Sequence, residues 1–353
     1  MAFQVFVEED VRIEEMDYCM GLEPLLEASD VEVTFLPPRE GDEIGADELA
    51  GAEAFVSARD LLTADSLARA DDLRIVTRGG AGFDNLDLDA LTERGVVACH
   101  APQGPTQSVA EATVMMLTAC AHNTRRADRT VRERGFEGRM ENMGSELQAS
   151  TVGIVGLGLI GSRVVELLAP YDPEIIAHDP YVPASRAEEL GVELVDRETV
   201  LARSDLLSLH VPLTEETHHM LGRDDFRAMK GSASLVNTTR GGIYPDEELA
   251  AALRAGELDS AAIDVFEGEP DVEGNPLLKL EDCLMTPHSA GINREGMERI
   301  GHLMSESILN VKDGELPINI LNPEVYDEPV PEENLTPSFR PEEATRRSSP
   351  PDA

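Results

Sequence analysis

Short apolar runs alternate with helix-like patterns through the first hundred residues of the chain. Five of these runs predict β-strands, over residues 3–7, 31–36, 53–57, 74–77 and 96–99. The stretches between them have helical spacing, over residues 16–28, 64–70 and 88–94. Strands that alternate with helices are typical of βαβ units around a parallel sheet. The pattern therefore predicts an α/β unit in this part of the chain.

A second α/β series follows a long helical pattern over residues 106–134. Six apolar runs predict its strands, over residues 151–155, 174–178, 206–210, 234–237, 260–264 and 283–285. A last helix is predicted over residues 294–313. From residue 323 the composition shifts to Pro, Glu, Ser and Arg, which is typical of disorder. We therefore predict a disordered tail over residues 323–353.

A glycine-rich turn follows the first strand of the second series and precedes a helix. It consists of Gly156, Leu157, Gly158, Leu159, Ile160 and Gly161, with the spacing G-x-G-x-x-G. The glycines permit a tight turn, close approach of the backbone to a pyrophosphate, and close helix packing. Asp179 stands at the end of the next strand, where a carboxylate binds the ribose hydroxyls of adenosine and repels a 2′-phosphate. This predicts a dinucleotide site for NAD. NADP is the less favoured alternative, because Arg163, Arg186 or high salt could offset the repulsion.

The turn comes after a complete α/β unit, so the nucleotide-binding domain is predicted to be inserted into the other domain. We predict two doubly wound parallel-sheet domains. Residues 1–100 and 292–322 form a flavodoxin-like substrate domain, and residues 101–291 form a Rossmann nucleotide-binding domain. The last helix then returns the chain to the first domain.

Acidic residues outnumber basic ones along the whole chain. It holds 69 Asp and Glu against 29 Lys and Arg, with no Trp and a formal net charge of -40. Such a surface repels itself at ordinary salt, whereas molar salt shortens the screening length to about 3 Å. The composition indicates a salt-adapted, haloarchaeal protein, with an ordinary acidic protein as the alternative. It disfavours nucleic acid as a partner, because non-specific affinity rests on basic patches.

Basic side chains are nevertheless concentrated in one segment of this acidic chain. They are Arg125, Arg126, Arg129, Arg132 and Arg134. Salt bridges to acidic neighbours, within the chain or across a subunit interface, are the favoured explanation. Attraction of an anionic ligand is the alternative.

The cysteines Cys19, Cys99, Cys120 and Cys283 form no C-x-x-C pair. This predicts reduced, buried thiols and neither disulfides nor a zinc site, and the sequence predicts no other metal site. The N-terminus lacks the pattern of a signal peptide, and no run of about 18 apolar residues occurs. We therefore expect a cytoplasmic protein without a membrane partner.

Four groups of motifs resemble the D-isomer-specific 2-hydroxyacid dehydrogenases, with phosphoglycerate dehydrogenase-like members most similar. The motifs are the fingerprint, residues 78–87 (RGGAGFDNLD), residues 236–242 (VNTTRGG), and residues 264–270 (DVFEGEP) with 286–291 (TPHSAG). The resemblance covers roughly residues 1–325. It implies hydride transfer between NAD(H) and C2 of a small D-2-hydroxy or 2-keto acid.

Three side chains are the candidate catalytic residues. Arg240 offers a planar, permanently charged fork to carboxylate and carbonyl oxygens. His288 is the candidate general acid–base, because imidazole titrates near neutral pH. Glu269 is its candidate partner, since a carboxylate orients the ring and favours its protonated form.

The resemblance also implies substrate-binding positions. Gly80, Ala81 and Gly82 correspond to a loop that binds the substrate carboxylate through backbone N–H groups, for which small residues are suited. Arg59 corresponds to a position that can contact the distal end of the substrate, such as a phosphate. The implied cofactor contacts beyond the fingerprint glycines and Asp179 are Thr106, Leu159, Ile160, His210, Val211, Pro212, Thr217, Thr238, Asp264, Ala290 and Gly291.

The resemblance leaves the substrate open. 3-Phosphoglycerate is one candidate, and glyoxylate, hydroxypyruvate and 2-ketoisocaproate are others. A non-catalytic NAD(H)-sensing protein of the C-terminal-binding protein type is the alternative from another class, because a fold does not fix a function. Formate or phosphite oxidation is a third possibility within the family, and Glu269 argues against formate because that branch carries Gln at this position. No serine-binding module follows the motifs, so serine feedback is not expected.

The resemblance suggests a homodimer built on residues 100–150.

Overall fold

The computed structural model describes residues 2–11, 19–39 and 41–337. The chain divides into two compact units. The first consists of Met1–Thr106 and Ile292–Ala353, and the second of Gln107–Gly291. The first boundary therefore falls after residue 106, inside a helix, and not after residue 100.

The strands and helices follow one another in alternation through both units. The strands are β1 Phe3–Val7, β2 Val31–Phe35, β3 Ala54–Ser57, β4 Ile75–Arg78, β5 Val97–His100, β6 Thr151–Val155, β7 Glu174–His178, β8 Glu193–Leu194, β9 Leu206–Leu209, β10 Ser234–Asn237, β11 Ser260–Ile263 and β12 Cys283–Met285. The helices are α1 Glu23–Leu26, α2 Leu88–Glu93, α3 Gln103–Ala121, α4 Thr124–Arg134, α5 Leu159–Leu168, α6 Ala184–Leu190, α7 Arg197–Arg203, α8 Arg223–Ala228, α9 Asp246–Arg254 and α10 Arg294–Asp313. Within the described ranges, no helix is long and apolar enough to cross a membrane.

The first unit is built on a five-stranded parallel sheet. Its order, β2-β1-β3-β4-β5, is that of flavodoxin-like folds. Every residue of β3 is buried, as expected for a parallel strand covered by helices on both faces. The helix α10 packs its apolar residues Ile300, Met304 and Ile308 into the same core cluster as Val5 and Ile75. The returning C-terminal helix thus completes the core that the N-terminal strands begin.

The second unit contains a seven-stranded parallel sheet in the order β12-β11-β10-β9-β6-β7-β8. This is the Rossmann order with one further strand, and both sheets confirm the predicted fold class. The order reverses between β6 and β9, so the carboxyl ends of these strands form the switch point where such folds bind ligands. Gly156 directly follows β6, and His210 directly follows β9.

Three helical predictions differ from the structure. The predicted helix over residues 106–134 is two helices, because Asn123 has a left-handed backbone (φ 50°) that an α-helix cannot continue through. Residues 64–69 form turns and not a helix. In the predicted helix 16–28 only Glu23–Leu26 is helical, and residues 16–18 lie outside the described residues.

The prediction of a disordered tail is wrong for residues 323–337. Leu335 and Thr336 are buried, and Tyr326 and Val330 pack against the core of the first unit. The ring of His100 binds Thr336 Oγ1 through Nε2 and the carbonyl of Ala81 through Nδ1. A few apolar side chains therefore fix this segment despite its Pro- and Glu-rich composition. Residues 338–353 of the predicted tail lie outside the described residues.

Candidate active site

The candidate catalytic side chains all follow neighbouring strands of the second unit. Arg240 lies in the loop after β10, Glu269 in the loop after β11, and His288 in the loop after β12. These strands are adjacent and parallel, so their carboxyl ends lie along one edge of the sheet. The sheet therefore presents the three loops side by side.

His288 and Glu269 form a direct pair. His288 Nδ1 lies 2.7 Å from Glu269 Oε2, and both side chains are partly exposed, at 48% and 25%. The second carboxylate oxygen, Oε1, accepts the backbone N–H of Phe266 at 2.5 Å. The carboxylate is thus held at one oxygen and presents the other to the ring. Nδ1 is engaged with Glu269, so Nε2 is the ring nitrogen that faces away from this pair.

The loop that carries His288 is organised by the buried carboxylate of Asp264. Its Oδ1 accepts the backbone N–H of Ser289 at 2.8 Å, and its Oδ2 accepts that of Ala290 at 2.9 Å. The hydroxyl of Thr286 also donates to Oδ1. The backbone N–H of His288 donates to the Asp264 carbonyl at 2.7 Å, and His288 adopts φ 50°. Asp264 therefore fixes the unusual backbone that aims the imidazole.

Asp246 holds the neighbouring loop, although the sequence pattern does not indicate this role. This buried residue opens α9, and its Oδ2 accepts the backbone N–H of Glu267 at 3.0 Å and the side-chain amide of Asn275 at 2.6 Å. Burial raises the pKa of its carboxyl group. Its only signal in the sequence is an acidic residue at a helix start, which usually reflects helix capping.

Arg240 is half-buried with an extended backbone. Its Nη1 donates to the Thr239 carbonyl at 2.8 Å, and the side-chain amide of Asn237 donates to the Arg240 carbonyl at 2.9 Å. The following residue, Gly241, lies directly against the backbone of Phe266, where an added Cβ would be 2.0 Å from the carbonyl oxygen. The loops of Arg240 and Glu269 therefore touch backbone to backbone.

The glycine-rich turn is tightly packed at Gly156 and Gly161 and open at Gly158. Gly156 adopts φ 96°, and an added Cβ on Gly161 would lie 2.1 Å from the Gly156 carbonyl oxygen. An added Cβ on Gly158, at the start of α5, would face open space. Asp179 braces this turn, since Oδ2 accepts the backbone N–H of Leu157 at 2.8 Å. Leu159 and Ile160 form the first turn of α5, where free backbone N–H groups favour an anion.

The remaining predicted cofactor positions lie on several elements. The Nδ1 atom of His210 is buried without a hydrogen-bond partner among the described residues, while Nε2 binds Ser208 Oγ at 2.9 Å. Val211 and Pro212 continue that loop, and Thr217 Oγ1 donates to the Pro212 carbonyl at 2.5 Å.

Thr238 is buried against Thr113, with 2.9 Å between the hydroxyl oxygens. Ala290 and Gly291 follow β12, whereas Thr106 lies in the first unit and donates to the Pro102 carbonyl.

The predicted substrate positions lie in the first unit. Gly80 adopts φ 123°, which favours glycine, and begins a turn with Ala81 and Gly82 after β4. Arg59 follows β3 with its side chain 60% exposed and 3.7 Å from Asp60. The buried carboxylate of Glu8, which the sequence analysis did not identify, accepts the backbone N–H groups of Ala58 and Arg59, both at 2.8 Å. It thereby holds the loop of Arg59.

Four of the five arginines in the basic segment of α4 form salt bridges within the second unit. Arg126 pairs with Asp259 at 3.0 Å and with Asp282 at 2.7 Å. Arg129, Arg132 and Arg134 pair with Glu281, Asp128 and Glu141 respectively. These pairs support the explanation by acidic neighbours over the one by an anionic ligand.

A Rossmann sheet, a glycine-rich turn braced by Asp179 and a His–Glu pair at the same edge define an α/β protein built to bind a dinucleotide. The chain belongs to the D-isomer specific 2-hydroxyacid dehydrogenase family, whose NAD binding domain matches residues 114–290. This confirms the resemblance that the motifs indicate. The second unit is therefore a domain for a nicotinamide cofactor, as predicted.

Two relatives and one solved structure illustrate the likeness. The D-3-phosphoglycerate dehydrogenase of Archaeoglobus fulgidus is 40% identical over 263 residues, 74% of this chain and 50% of that protein. The glyoxylate reductase of Korarchaeum cryptofilum is 38% identical over 277 residues, 77% of this chain and 83% of that protein. The structure of Aquifex aeolicus D-lactate dehydrogenase with NAD and lactic acid has a TM-score of 0.77 at 26% identity, covering 88% of this chain and 96% of that one. The chain thus spans about half the length of the phosphoglycerate dehydrogenase that it matches.

Proposed function

We propose that this protein is an NAD-dependent D-2-hydroxyacid dehydrogenase. The observation that carries the proposal is the 2.7 Å contact between His288 and Glu269 at the sheet edge that also bears the glycine-rich turn. The nicotinamide cofactor, when bound, supplies or accepts the hydride at C2 of the substrate. The relatives include a phosphoglycerate dehydrogenase and a glyoxylate reductase, which supports this class of reaction.

The residues of the chain handle the proton and the charge. In reduction, Nε2 of His288 gives a proton to the oxygen at C2, and in oxidation it takes that proton back. Glu269 keeps the ring oriented and stabilises the imidazolium. Arg240 binds the carboxylate and the C2 oxygen of the acid with its planar fork. In the first unit, the turn at Gly80, Ala81 and Gly82 offers backbone N–H groups that would suit a carboxylate.

The cofactor residues favour NAD over NADP in this proposal. The open face of Gly158 and the start of α5 would receive the pyrophosphate. Asp179, at the end of β7, would accept the adenosine ribose hydroxyls, and a 2′-phosphate there would meet a carboxylate. The positions at His210, Val211, Pro212 and Thr217 would lie along the adenosine. Thr238, Asp264, Ala290 and Gly291 would lie on the nicotinamide side.

A screen of 2-keto acids tests this function directly. Oxidation of NADH and NADPH is followed in molar KCl with glyoxylate, hydroxypyruvate, 2-ketoisocaproate and the 2-keto acid of 3-phosphoglycerate. We expect NADH-linked turnover of at least one of them, with a lower kcat/KM for NADPH. If Arg59 binds a distal phosphate, Arg59→Ser raises KM for the phosphorylated acid at least about tenfold and leaves that for glyoxylate unchanged. Tight NADH binding without any turnover would instead favour a non-catalytic NAD(H)-sensing protein.

We also propose that the protein forms a homodimer through the segment after α4. Apolar side chains are exposed there on the second unit, with Phe136 at 84%, Met143 at 71% and Met140 at 67%. Three exposed apolar side chains within eight residues of sequence favour an interaction surface in this segment. Light scattering in molar KCl should give twice the monomer mass, and the double variant Phe136→Ser/Met140→Ser should shift it to the monomer. A monomeric mass for the unmodified protein would refute the proposal.

A further inference from the structure

Two histidines and a glutamate converge on the surface of the second unit, outside the proposed reaction. One ligand atom each from His218, His219 and Glu267 lie within 4.8 Å of one another. His219 Nε2 is 2.8 Å from Glu267 Oε1, and the two imidazole rings stack with centroids 3.8 Å apart. All three side chains are exposed, so solvent and dissolved ions reach them. None of them is assigned to cofactor or substrate.

The backbone holds both histidines in place before any ligand arrives. His219 adopts φ 51°, a left-handed conformation that is costly for a residue with a side chain. The backbone N–H of His219 donates to the Gly242 carbonyl at 2.8 Å, and that of His218 donates to the Thr214 carbonyl at 2.8 Å. The turn is therefore fixed at two successive residues. This lowers the entropy cost of ordering the rings around a ligand.

The backbone of Glu267 is held by Asp246 and by packing against Gly241. Its backbone N–H donates to the buried carboxylate of Asp246 at 3.0 Å, and the neighbouring Gly241 lies against the Phe266–Glu267 peptide, where an added Cβ would be 2.4 Å from the Glu267 nitrogen. The carboxylate thus projects from a fixed point toward His219. Two preformed segments that are distant in sequence supply the three donors.

The donor types select a particular class of ion. Two imidazole nitrogens and one carboxylate oxygen suit Zn²⁺, Co²⁺ or Ni²⁺, whereas Mg²⁺ and Ca²⁺ prefer oxygen ligands alone. In a tetrahedral zinc site with bonds near 2.0 Å the ligand atoms are about 3.4 Å apart. The ligand atoms lie within 4.8 Å of one another, with His219 and Glu267 at 2.8 Å, so rotations of these exposed side chains would have to bring them to this spacing. Water would take the fourth position.

We propose that His218, His219 and Glu267 form a binding site for a divalent transition metal of the zinc class. The bound ion takes the place of the direct contact between His219 Nε2 and Glu267 Oε1 and ties the turn after β9 to the loop after β11. The proposal does not depend on the dehydrogenase activity, because it concerns binding alone.

Cobalt titration tests this site on the whole chain, expressed without a histidine tag and stripped with a chelator. The titration is run in molar KCl with an excess of Mg²⁺, which occupies non-specific carboxylate sites on this acidic surface. We expect one Co²⁺ per chain with visible absorption bands, and displacement of Co²⁺ by Zn²⁺. His219→Gln and Glu267→Gln should each weaken binding by more than about tenfold, because groups one step removed from a metal already change affinity about 10–100-fold.

The matched control is His302→Gln, which removes an exposed histidine of α10 in the first unit. It should bind Co²⁺ like the unmodified chain, and near-UV circular dichroism should show all variants folded. Equal affinities in folded His219→Gln, Glu267→Gln and unmodified chains would overturn the site. So would loss of the signal in excess Mg²⁺, or a thiolate charge-transfer band that places the metal on a cysteine.

Discussion

The His288→Ala variant is expected to lose at least a factor of about 100 in kcat while its affinity for NADH stays nearly unchanged. The imidazole is the only proposed proton donor, and the ring stands outside the glycine-rich turn that would bind the pyrophosphate. Removing an acid–base group costs about 10²–10⁴ in rate, since the oxygen at C2 must then take its proton from water. Steady-state kinetics on the best substrate of the keto-acid screen, with NADH binding followed by fluorescence, measures both quantities.

Two further variants show whether the loss comes from chemistry. Glu269→Gln keeps the shape of the partner and its acceptor oxygen but removes its charge, so we expect a smaller loss of kcat with the ring still in place. His122→Gln, at an exposed histidine in the same unit, should keep full activity. Full activity of His288→Ala would remove His288 from the mechanism, and equal losses in both His variants would indicate a general disturbance of the protein.

The sequence could name His288 and Glu269 as partners, but not the framework that brings them together. Motif and strand pattern place each residue at the end of a strand, and parallel strands end at the same edge. The framework consists of carboxylates that accept backbone N–H groups across a tertiary contact: Asp264 for the loop of His288, and Asp246 for the loop of Glu269. In a chain with so many acidic residues, the sequence does not indicate which carboxylates hold a loop in this way. Only the folded structure shows that Asp264 and Asp246 do.

The secondary structure is likewise predictable in part from the sequence. Strands such as Thr151–Val155 are predictable because a run buried on both faces is apolar throughout. The break at Asn123 is not predictable from the sequence pattern, since no Gly or Pro interrupts residues 106–134. The ordered structure of residues 323–337 could not be predicted from composition, for another reason. Composition measures how many apolar groups a segment has, whereas its order depends on whether Tyr326 and Val330 find a core to pack against.

The close contact between the loops of Arg240 and Glu269 leads to the second large effect. Gly241→Ala should lower kcat/KM about a hundredfold and destabilise the protein by about 1–3 kcal/mol or more. The added Cβ would lie 2.0 Å from the Phe266 carbonyl oxygen and 2.1 Å from its carbon. Both atoms belong to the backbone, so no side-chain rotation relieves the overlap. The two loops must separate, and a displacement of about 1 Å in a catalytic group can cost about 10²-fold in rate.

The adjacent glycine provides the control for this prediction. At Gly242 an added Cβ would meet only side-chain atoms, of Leu213 and His218, both at 3.4 Å, which is an ordinary contact. Gly242→Ala should therefore keep kcat/KM and the urea midpoint close to those of the unmodified protein. The two variants make the same change in composition and helix propensity, one residue apart. A difference between them isolates the loop contact, whereas equal and small effects would show that the Arg240 and Glu269 loops need not touch for catalysis.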